Sequence, residues 1–193
     1  IYNNYYNMSK GYNKLEAKHL EEGWFFYDHA WMLAFHNMSR FVGKSVLDVG
    51  CGTGLALGLY QNCKLDMSFR GCEPNNTCKK IWDARNILVD KSSATNLIYK
   101  NNSFDTVIAS HVLEHISSQQ RAILEMARVA KKRLIVIVPQ GNIDEKNHGS
   151  RHLRYYNRIN LVKAFKCLKN VSLNCYLVPH SHIDNLVMEV DFE

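Results

Sequence analysis

The sequence predicts an α/β fold built on a doubly wound, mostly parallel sheet of seven strands that ends in an antiparallel hairpin. Two observations carry this prediction. From residue 44 to residue 168, short apolar segments alternate with segments of helical periodicity, the pattern of a sheet covered by helices. After residue 168, two segments with alternating apolar and polar residues are typical of a closing antiparallel pair. In this class of fold, ligands bind at the carboxyl ends of the parallel strands.

The predicted strands are short apolar runs bounded by glycine, proline or polar residues. The segment 103–110 contains a continuous apolar stretch, a feature of parallel strands that are buried on both faces. In chain order, strands are predicted at 44–50, 68–74, 86–90, 103–110, 133–139, 170–179 and 185–192.

Helices are predicted between these strands. One opens at the glycine turn after the first strand, and the others cover 76–85, 117–132 and 157–168. Asn75 or Asn76 is the expected cap of the second helix. Ser117 and Gln120 fit a capping box at the start of the third.

Residues 1–42 precede the first strand and are rich in aromatic side chains. Between Leu20 and Phe41 these recur at roughly helical spacing, which predicts one or two helices. The helices pack on the core, or part of the segment covers a ligand pocket. No linker-like stretch interrupts the chain, so we predict one domain over residues 1–193, with a helical N-terminal cap at 1–42 and the sheet-containing core at 43–193.

The composition is that of an ordinary globular domain: 193 residues, of which 46% are hydrophobic and 22% are charged. The net charge of +6 permits an anionic partner such as nucleic acid, although a solvated basic surface is the simpler explanation. No apolar run approaches the roughly 18–20 residues of a membrane span, and no signal peptide is visible. The six cysteines are scattered without a C-x-x-C pair, which predicts reduced thiols and a cytoplasmic location.

The first predicted strand ends in an acidic, glycine-rich turn with the pattern Asp48-x-Gly50-x-Gly52-x-Gly54. Glycines let a backbone approach a ligand closely, but the spacing differs from the G-x-G-x-x-G of dinucleotide-binding folds. A carboxylate beside the turn suits an ammonium group better than a pyrophosphate. Glu73, 19 residues after Gly54, ends the second strand, where a carboxylate accepts hydrogen bonds from ribose hydroxyls. An ammonium group beside a ribose describes S-adenosylmethionine.

Four segments resemble, in order, the successive motifs of the class I S-adenosylmethionine-dependent methyltransferases. They are VLDVGCGTG, GCEP, SFDTVIASHVLEHI and MARVAKKRLIVIVP, and the resemblance covers about residues 42–140. It implies a Rossmann-like methyltransferase fold of the type 11-like group, methyl transfer as the activity and S-adenosylmethionine as the cofactor.

The resemblance also implies which residues hold the methionine and ribose parts of that cofactor. Those that correspond to the methionine-binding turn are Asp48, Gly50, Cys51, Gly52 and Gly54. Glu73 corresponds to the residue that binds the ribose, and Pro74 to the residue beside the adenine.

Other correspondences lie further along the chain. Ser93 and Ala94 stand where the family usually has an Asp-Ala pair whose Asp binds the adenine amino group. The Ser hydroxyl can accept a hydrogen bond in its place, and Asp90 is an alternative acceptor. Ser110 and His111 match the strand end that meets the methionine part, and Tyr12 matches an aromatic residue that lies over the cofactor.

His111-Val-Leu-Glu114-His115 matches the H-x-x-E-H pattern of inverted zinc peptidases. That chemistry requires a sustained helix with both histidines on one face and a third ligand. Here the motif is confined between a strand that ends near Ser110 and a helix that begins near Ser117, so we reject the peptidase interpretation. We predict instead that His111 and His115 are the catalytic candidates at the rim of a methyl-transfer site.

We assign no metal ligand from the sequence, although a second interpretation of the motif involves one. Small-RNA 3′-terminal 2′-O-methyltransferases carry E-x-x-E-H at this place and a later histidine, which together hold a divalent ion. Glu114 and His115 match that stretch, and His148 or His152 is in place for the later ligand. A third interpretation gives Glu114 and His115 only a local packing role.

The function predicted first is methyl transfer to an O, N or C atom of a small-molecule substrate. A nucleic-acid methyltransferase is the alternative, favoured by the positive charge and by the 148–158 segment with three arginines, two histidines and two tyrosines. A non-catalytic binding protein with the same fold is a third possibility, which the complete glycine turn disfavours.

Overall fold

The computed structural model describes residues 33–34, 36–63, 66–141, 152–179 and 184–193. Most of the predicted N-terminal cap, including Tyr12, lies outside these ranges, and so do residues 148–151. In the part of the cap that is described, residues 36–40 are helical.

Seven strands form one sheet. Their bounds are β1 Ser45–Val49, β2 Ser68–Cys72, β3 Val89–Asp90, β4 Phe104–Ser110, β5 Ala130–Pro139, β6 Val171–Val178 and β7 Asn185–Phe192. The strand order is β3-β2-β1-β4-β5-β7-β6. The first five strands are parallel, whereas β7 is antiparallel to both β5 and β6. The predicted α/β fold, with its parallel sheet and closing antiparallel pair, is confirmed.

The helices between the strands are shorter than predicted. They are α1 Leu55–Cys63, α2 Lys79–Ala84, α3 Gln119–Val129 and α4 Arg158–Phe165, with a single 3₁₀ turn at Leu113–His115 between β4 and α3. Within the described ranges, no helix combines the length and the apolar character that crossing a bilayer requires.

Two predicted helix caps are wrong. Helix α2 begins at Lys79, beyond both asparagines, and its N-cap Cys78 makes no side-chain capping bond. Helix α3 begins after Ser118, also without a side-chain cap. The side chain of Gln120, predicted to close a capping box, instead donates to the carbonyl of Ala164 (3.3 Å), because packing against α4 offers it a partner there.

The sheet separates two apolar clusters, one on each face. Adjacent residues of β1, β4 and β5 point to opposite faces, as a pleated strand requires. One cluster contains Leu47, Val107 and Leu134 with Ile123 and Met126 of α3 and Leu161 and Phe165 of α4. The other contains Val46, Ile108 and Ile135 with Leu57 and Tyr60 of α1, Trp82 of α2 and Leu33, Ala34 and Met38. Burial on both faces explains the continuous apolar strands.

Asp105 of β4 holds the segment that leads into β1. One carboxylate oxygen of Asp105 accepts hydrogen bonds from the backbone N–H groups of Lys44 (2.8 Å) and Ser45 (3.3 Å) and from the Ser45 hydroxyl (3.2 Å). Its other oxygen lies 3.1 Å from Nζ of Lys132. These interactions, above all the bond from Lys44, lower the pKa of Asp105 to about 2.

We expect Asp105→Ala to lower the free energy of unfolding at pH 7 by about 1–3 kcal/mol, because the partly buried donors of Ser45 and the backbone N–H of Lys44 lose their acceptor. The folded-state pKa lies below the unfolded value, so this stabilisation is complete above about pH 5 and declines as the pH falls toward 2. Urea unfolding should therefore show that the difference in free energy of unfolding between wild type and Asp105→Ala shrinks as the pH falls from 5 to 3. The control is Asp66→Ala at an exposed position, expected to stay within about 0.5 kcal/mol of wild type. An Asp105→Ala variant as stable as this control contradicts the prediction.

Candidate functional site

The strand order places a crevice between β1 and β4. From β1 the chain builds outward to β2 and β3 on one side, and it then returns to form β4 and β5 on the other. Where the strand order of a parallel sheet reverses in this way, an opening forms at the carboxyl ends of the two central strands. The glycine turn after β1, the end of β2 and the segment after β4 come together at that opening.

Gly50 is the point where these three pieces touch. Its N–H donates to the carbonyl of Cys72 at the end of β2 (2.8 Å), and the N–H of Cys51 donates to the same oxygen (3.2 Å). Gly50 has φ +72°, and a Cβ there would lie 2.6 Å from Cγ2 of Val112, just after β4. Both the backbone conformation and the contact therefore require glycine.

The glycine turn is also held from the β2 side and from α2. The indole N–H of Trp82 donates to the carbonyl of Gly52 (2.9 Å). Cys51 packs against the bare backbone of Gly71 in β2, where a Cβ would lie 2.6 Å from its sulfur. Gly52 and Gly54 both have positive φ, +56° and +73°. The predicted turn residues are thus brought together in one rigid loop.

Two carboxylates are buried beside this loop. Asp48 is only 6% exposed, and its side chain accepts no hydrogen bond from the described residues. Burial, with a smaller contribution from nearby Glu73, raises the pKa of Asp48 to about 7. Glu73 is 3% exposed, and its carboxylate accepts a bond from the backbone N–H of Asn75 (3.3 Å). Two neighbouring acids buried beside a bare glycine turn, one of them with a strongly raised pKa, make the loop a candidate ligand site.

The predicted adenine side consists of short polar groups. Pro74 is exposed next to Glu73, and Ala94 is buried. The Ser93 hydroxyl accepts a bond from the backbone N–H of Thr95 (3.3 Å) and lies 3.0 Å from the Thr95 hydroxyl. Ser93 is therefore oriented by its own turn.

Asp90, the alternative acceptor, is engaged elsewhere. Its carboxylate pairs with the guanidinium of Arg70 (2.9 Å) and accepts the hydroxyl of Tyr99 (3.0 Å). Asp90 therefore ties β3 to β2, and of the two candidates Ser93 is the one whose side chain bonds only within its own turn.

Ser110 and His111 leave β4 at the rim of the crevice. The backbone N–H of His111 donates to the carbonyl of Ile137 in β5 (2.9 Å). The residue has φ +55°, an uncommon conformation outside glycine, which turns the chain sharply after the strand. Its Nδ1 lies 3.5 Å from Oε1 of Glu114, and its side chain is one-third exposed.

Glu114 and His115 occupy the 3₁₀ turn, so the described chain offers one turn here in place of the sustained helix of a zinc peptidase. Glu114 is fully buried, and neither of its carboxylate oxygens accepts a hydrogen bond from the described residues. Burial raises the pKa of Glu114 to about 8. His115 is half-exposed, with Nε2 4.0 Å from Oε1 of Glu114.

Arg154 braces the same turn, a role that the sequence analysis missed. Its guanidinium donates to the carbonyls of Leu113 (3.3 Å), Ile116 and Ser117 (3.0 Å). The backbone N–H of Leu153 donates to the carbonyl of Glu114 (2.8 Å). No local pattern signals these contacts, because the partners of Arg154 lie 37 to 41 residues away in the chain.

Comparisons with known proteins place the same region in one family. Residues 47–138 match the model of a methyltransferase domain. A tRNA (carboxymethyluridine(34)-5-O)-methyltransferase of Arabidopsis thaliana is 35% identical over 99 residues, which span half of this chain and 24% of that protein. A ubiquinone/menaquinone biosynthesis C-methyltransferase of Campylobacter jejuni is 27% identical over 164 residues, 80% of this chain and 70% of that protein. The matched segment, residues 47–138, is a methyltransferase domain of the S-adenosylmethionine-dependent type.

A solved structure of a family member agrees with this assignment at the level of the fold. The phosphoethanolamine N-methyltransferase 2 of Haemonchus contortus, in complex with S-adenosylmethionine, superposes with a TM-score of 0.69 at 12% identity, covering 84% of this chain and 52% of that one. The cofactor predicted for this methyltransferase domain, S-adenosylmethionine, is confirmed. The buried acids and the bare glycine backbone fit a ligand that combines an ammonium group with a ribose.

We expect Gly50→Ala to destabilise this methyltransferase domain by about 2–4 kcal/mol, because alanine must adopt positive φ and its Cβ collides with Val112. Gly58→Ala is the matched control, since Gly58 lies in α1 with its nearest neighbour, Ile87, at an ordinary 3.7 Å. That change should be neutral or stabilising by up to about 1 kcal/mol. Chemical unfolding of the two variants measures the contrast, and equal stabilities would show that the contact at Gly50 is not tight.

Proposed function

We propose that this chain is an active methyltransferase that moves the methyl group of S-adenosylmethionine to an O, N or C atom of a small organic acceptor. The observation that carries the proposal is the pair of buried carboxylates, Asp48 and Glu73, on either side of the bare glycine turn. A cationic amino acid joined to a nucleoside satisfies both acids at once.

The cofactor residues take separate roles in this proposal. Asp48 pairs with the ammonium group of the methionine part, and the backbone of Gly50 and Gly52 lets that part lie against the turn. Glu73 accepts both ribose hydroxyls. Pro74, Ser93 and Ala94 surround the adenine, and Cys51, Gly54 and Ser110 complete the enclosure. Tyr12, which lies outside the described residues, stays a prediction from the sequence.

Bound S-adenosylmethionine supplies a methyl group on a positively charged sulfur that serves as a built-in leaving group. As the acceptor atom bonds to the methyl carbon, the carbon–sulfur bond breaks and its electron pair remains on the sulfur as a neutral thioether. The chain's main task is to align the two partners and exclude water. When the acceptor is a hydroxyl, its proton must leave, and we assign that proton to the imidazole of His111, with His115 as the second candidate. His111 stands at the rim, with its Nδ1 3.5 Å from Oε1 of Glu114.

A small acceptor is favoured by two observations. The quinone C-methyltransferase aligns with 80% of this chain, including segments beyond the core motifs, at 27% identity. Arg154, part of the basic segment that favoured nucleic acid, uses its guanidinium for the carbonyls of Leu113 and Ser117. These donors of its guanidinium are therefore used within the domain.

Transfer to RNA is the second candidate, supported by the net charge of +6 and by the tRNA methyltransferase that is 35% identical over 99 residues. Phosphate contacts of a basic surface would make methyl incorporation strongly salt-dependent. Radiolabelled cofactor offered with bulk tRNA, and separately with quinones, phenols and amines, distinguishes the two. Incorporation into tRNA alone overturns the small-molecule assignment.

Calorimetry with S-adenosylmethionine tests the cofactor site directly. We expect Asp48→Asn to weaken binding by about 10- to 100-fold, because a charge-assisted hydrogen bond contributes about 1.5–3 kcal/mol. Asp90→Asn is the matched control, since that carboxylate is held by Arg70 and Tyr99 and should leave the affinity within about threefold. No binding by wild type, or equal losses in the two variants, would refute the assignment of Asp48.

The raised pKa of Asp48 makes cofactor binding pH-dependent. Only the ionised carboxylate pairs with an ammonium group, and the pKa of Asp48 in the free protein is about 7. The affinity should therefore rise by up to tenfold per unit as the pH increases from 5 to about 7 and then level off, while the ammonium group stays charged below about pH 8. Binding to Asp48→Asn should lack this rise. A wild-type affinity that is flat between pH 5 and pH 7 contradicts the prediction.

A further inference from the structure

The strongest unexplained feature of the molecule is a group of three side chains after β4: Glu114, His115 and His152, here called the post-β4 cluster. Each offers one ligand atom, and these atoms all lie within 4.8 Å of one another. The rings of His115 and His152 meet edge to face with centroids 4.8 Å apart. Among the described residues, this is the one group of three such donors close enough to share an ion.

Glu114 supplies an independent observation. Its side chain is fully buried, and neither carboxylate oxygen accepts a hydrogen bond from the described residues. The nearest imidazole nitrogens, of His111 and His115, lie 3.5 Å and 4.0 Å from Oε1 without hydrogen-bond geometry. Buried carboxylates in proteins are paired, neutralised or bound to metal, because an isolated one costs several kcal/mol. The carboxylate of Glu114 is therefore aimed into a site that a cation completes.

The backbone holds the two halves of the cluster in place. The 3₁₀ turn Leu113–His115 directs Glu114 inward and leaves His115 half-exposed. The hydrogen bond from the N–H of Leu153 to the carbonyl of Glu114 (2.8 Å) fixes the residue next to His152. The guanidinium of Arg154 clamps the carbonyls of Leu113 and Ser117. Two distant segments are thus joined at the cluster, although neither the sheet nor the cofactor turn requires it.

The donor set indicates the class of ion. Two imidazoles and one carboxylate are the protein ligands of many catalytic zinc sites and of open 2-His-1-carboxylate iron sites. Magnesium and calcium prefer oxygen ligands, so they fit this set poorly. A first-row ion with bonds of about 2.0–2.2 Å holds adjacent ligand atoms roughly 3–3.5 Å apart, so the side chains close by about 1 Å around it.

We propose that Glu114, His115 and His152 form a binding site for a divalent transition-metal ion such as Zn²⁺, Mn²⁺ or Fe²⁺. The three protein ligands leave at least one coordination position on the side where His115 and His152 are accessible. The site adjoins the methyl-transfer crevice, because Val112, two residues before Glu114, packs on Gly50 of the cofactor turn. We assign the open position to an oxygen of the acceptor. A hydroxyl bound there would lose its proton more readily, and the proton would pass to the imidazole of His111, because His115 would hold the ion.

Metal binding by the apoprotein tests the proposal without reference to activity. The full chain is stripped with a chelator and titrated with Co²⁺, followed by visible d–d absorption, and with Zn²⁺, followed by calorimetry. We expect wild type to bind one ion per chain, and Glu114→Gln and His152→Ala to weaken that binding at least tenfold. His36→Ala is the matched control, since His36 contacts Tyr176 of β6, outside the cluster, and that variant should bind as wild type does.

Two further measurements distinguish loss of the metal site from misfolding and from loss of the cofactor site. Thermal unfolding establishes that each variant is folded, and the accessible His152 provides the test if the buried Glu114 does not tolerate substitution. S-adenosylmethionine binding, measured on the same preparations, should change by less than about threefold in His152→Ala, so failure of the metal site is separate from failure of the cofactor site. Absence of one-to-one binding in wild type, or equal affinity in wild type and His152→Ala, overturns the proposal.

Discussion

The close approach of three chain segments at Gly50 is the constraint on which the rest of the site depends. Because Gly50 has no side chain, the turn after β1 can donate two backbone hydrogen bonds to Cys72 while Val112 packs on its other side. A side chain there would separate β2 from the segment after β4. One bare position therefore joins the glycine-turn half of the crevice to the half where we propose that the acceptor enters.

The same geometry makes the unliganded site electrostatically unfavourable. The turn places Asp48 and Glu73 together in a region that is nearly closed to water, so the proton affinity of Asp48 is raised. Ionising both members of such a pair costs stability, because burial and the like charge each disfavour the second charge. Other groups stabilise the fold. One is Asp105, whose carboxylate accepts hydrogen bonds from backbone N–H groups. The contrast between the two aspartates separates a binding role from a structural one.

The fold and the glycine turn could be predicted from the sequence because both depend on local patterns of residues. Apolar runs identify the buried strands, and the spacing from Asp48 to Gly54 identifies the loop, since each depends on neighbours within a few residues. The capping prediction for α3 was wrong because Gln120 has a tertiary partner in α4. The one for α2 was wrong because the helix starts beyond both asparagines, without a side-chain cap. The role of Arg154 was hidden for the same reason, because its partners are distant in the chain.

The two halves of the crevice consequently depend on different kinds of interaction. The family model over residues 47–138 spans both the glycine turn and the 3₁₀ turn after β4, and the half at the glycine turn is made of backbone bends and buried acids at strand ends. The acceptor half is made of side chains on a 3₁₀ turn, braced by Leu153 and Arg154 from beyond that range. If the acceptor enters there, as we propose, substitutions on this turn change what meets the methyl group while the strands of the sheet keep their own contacts.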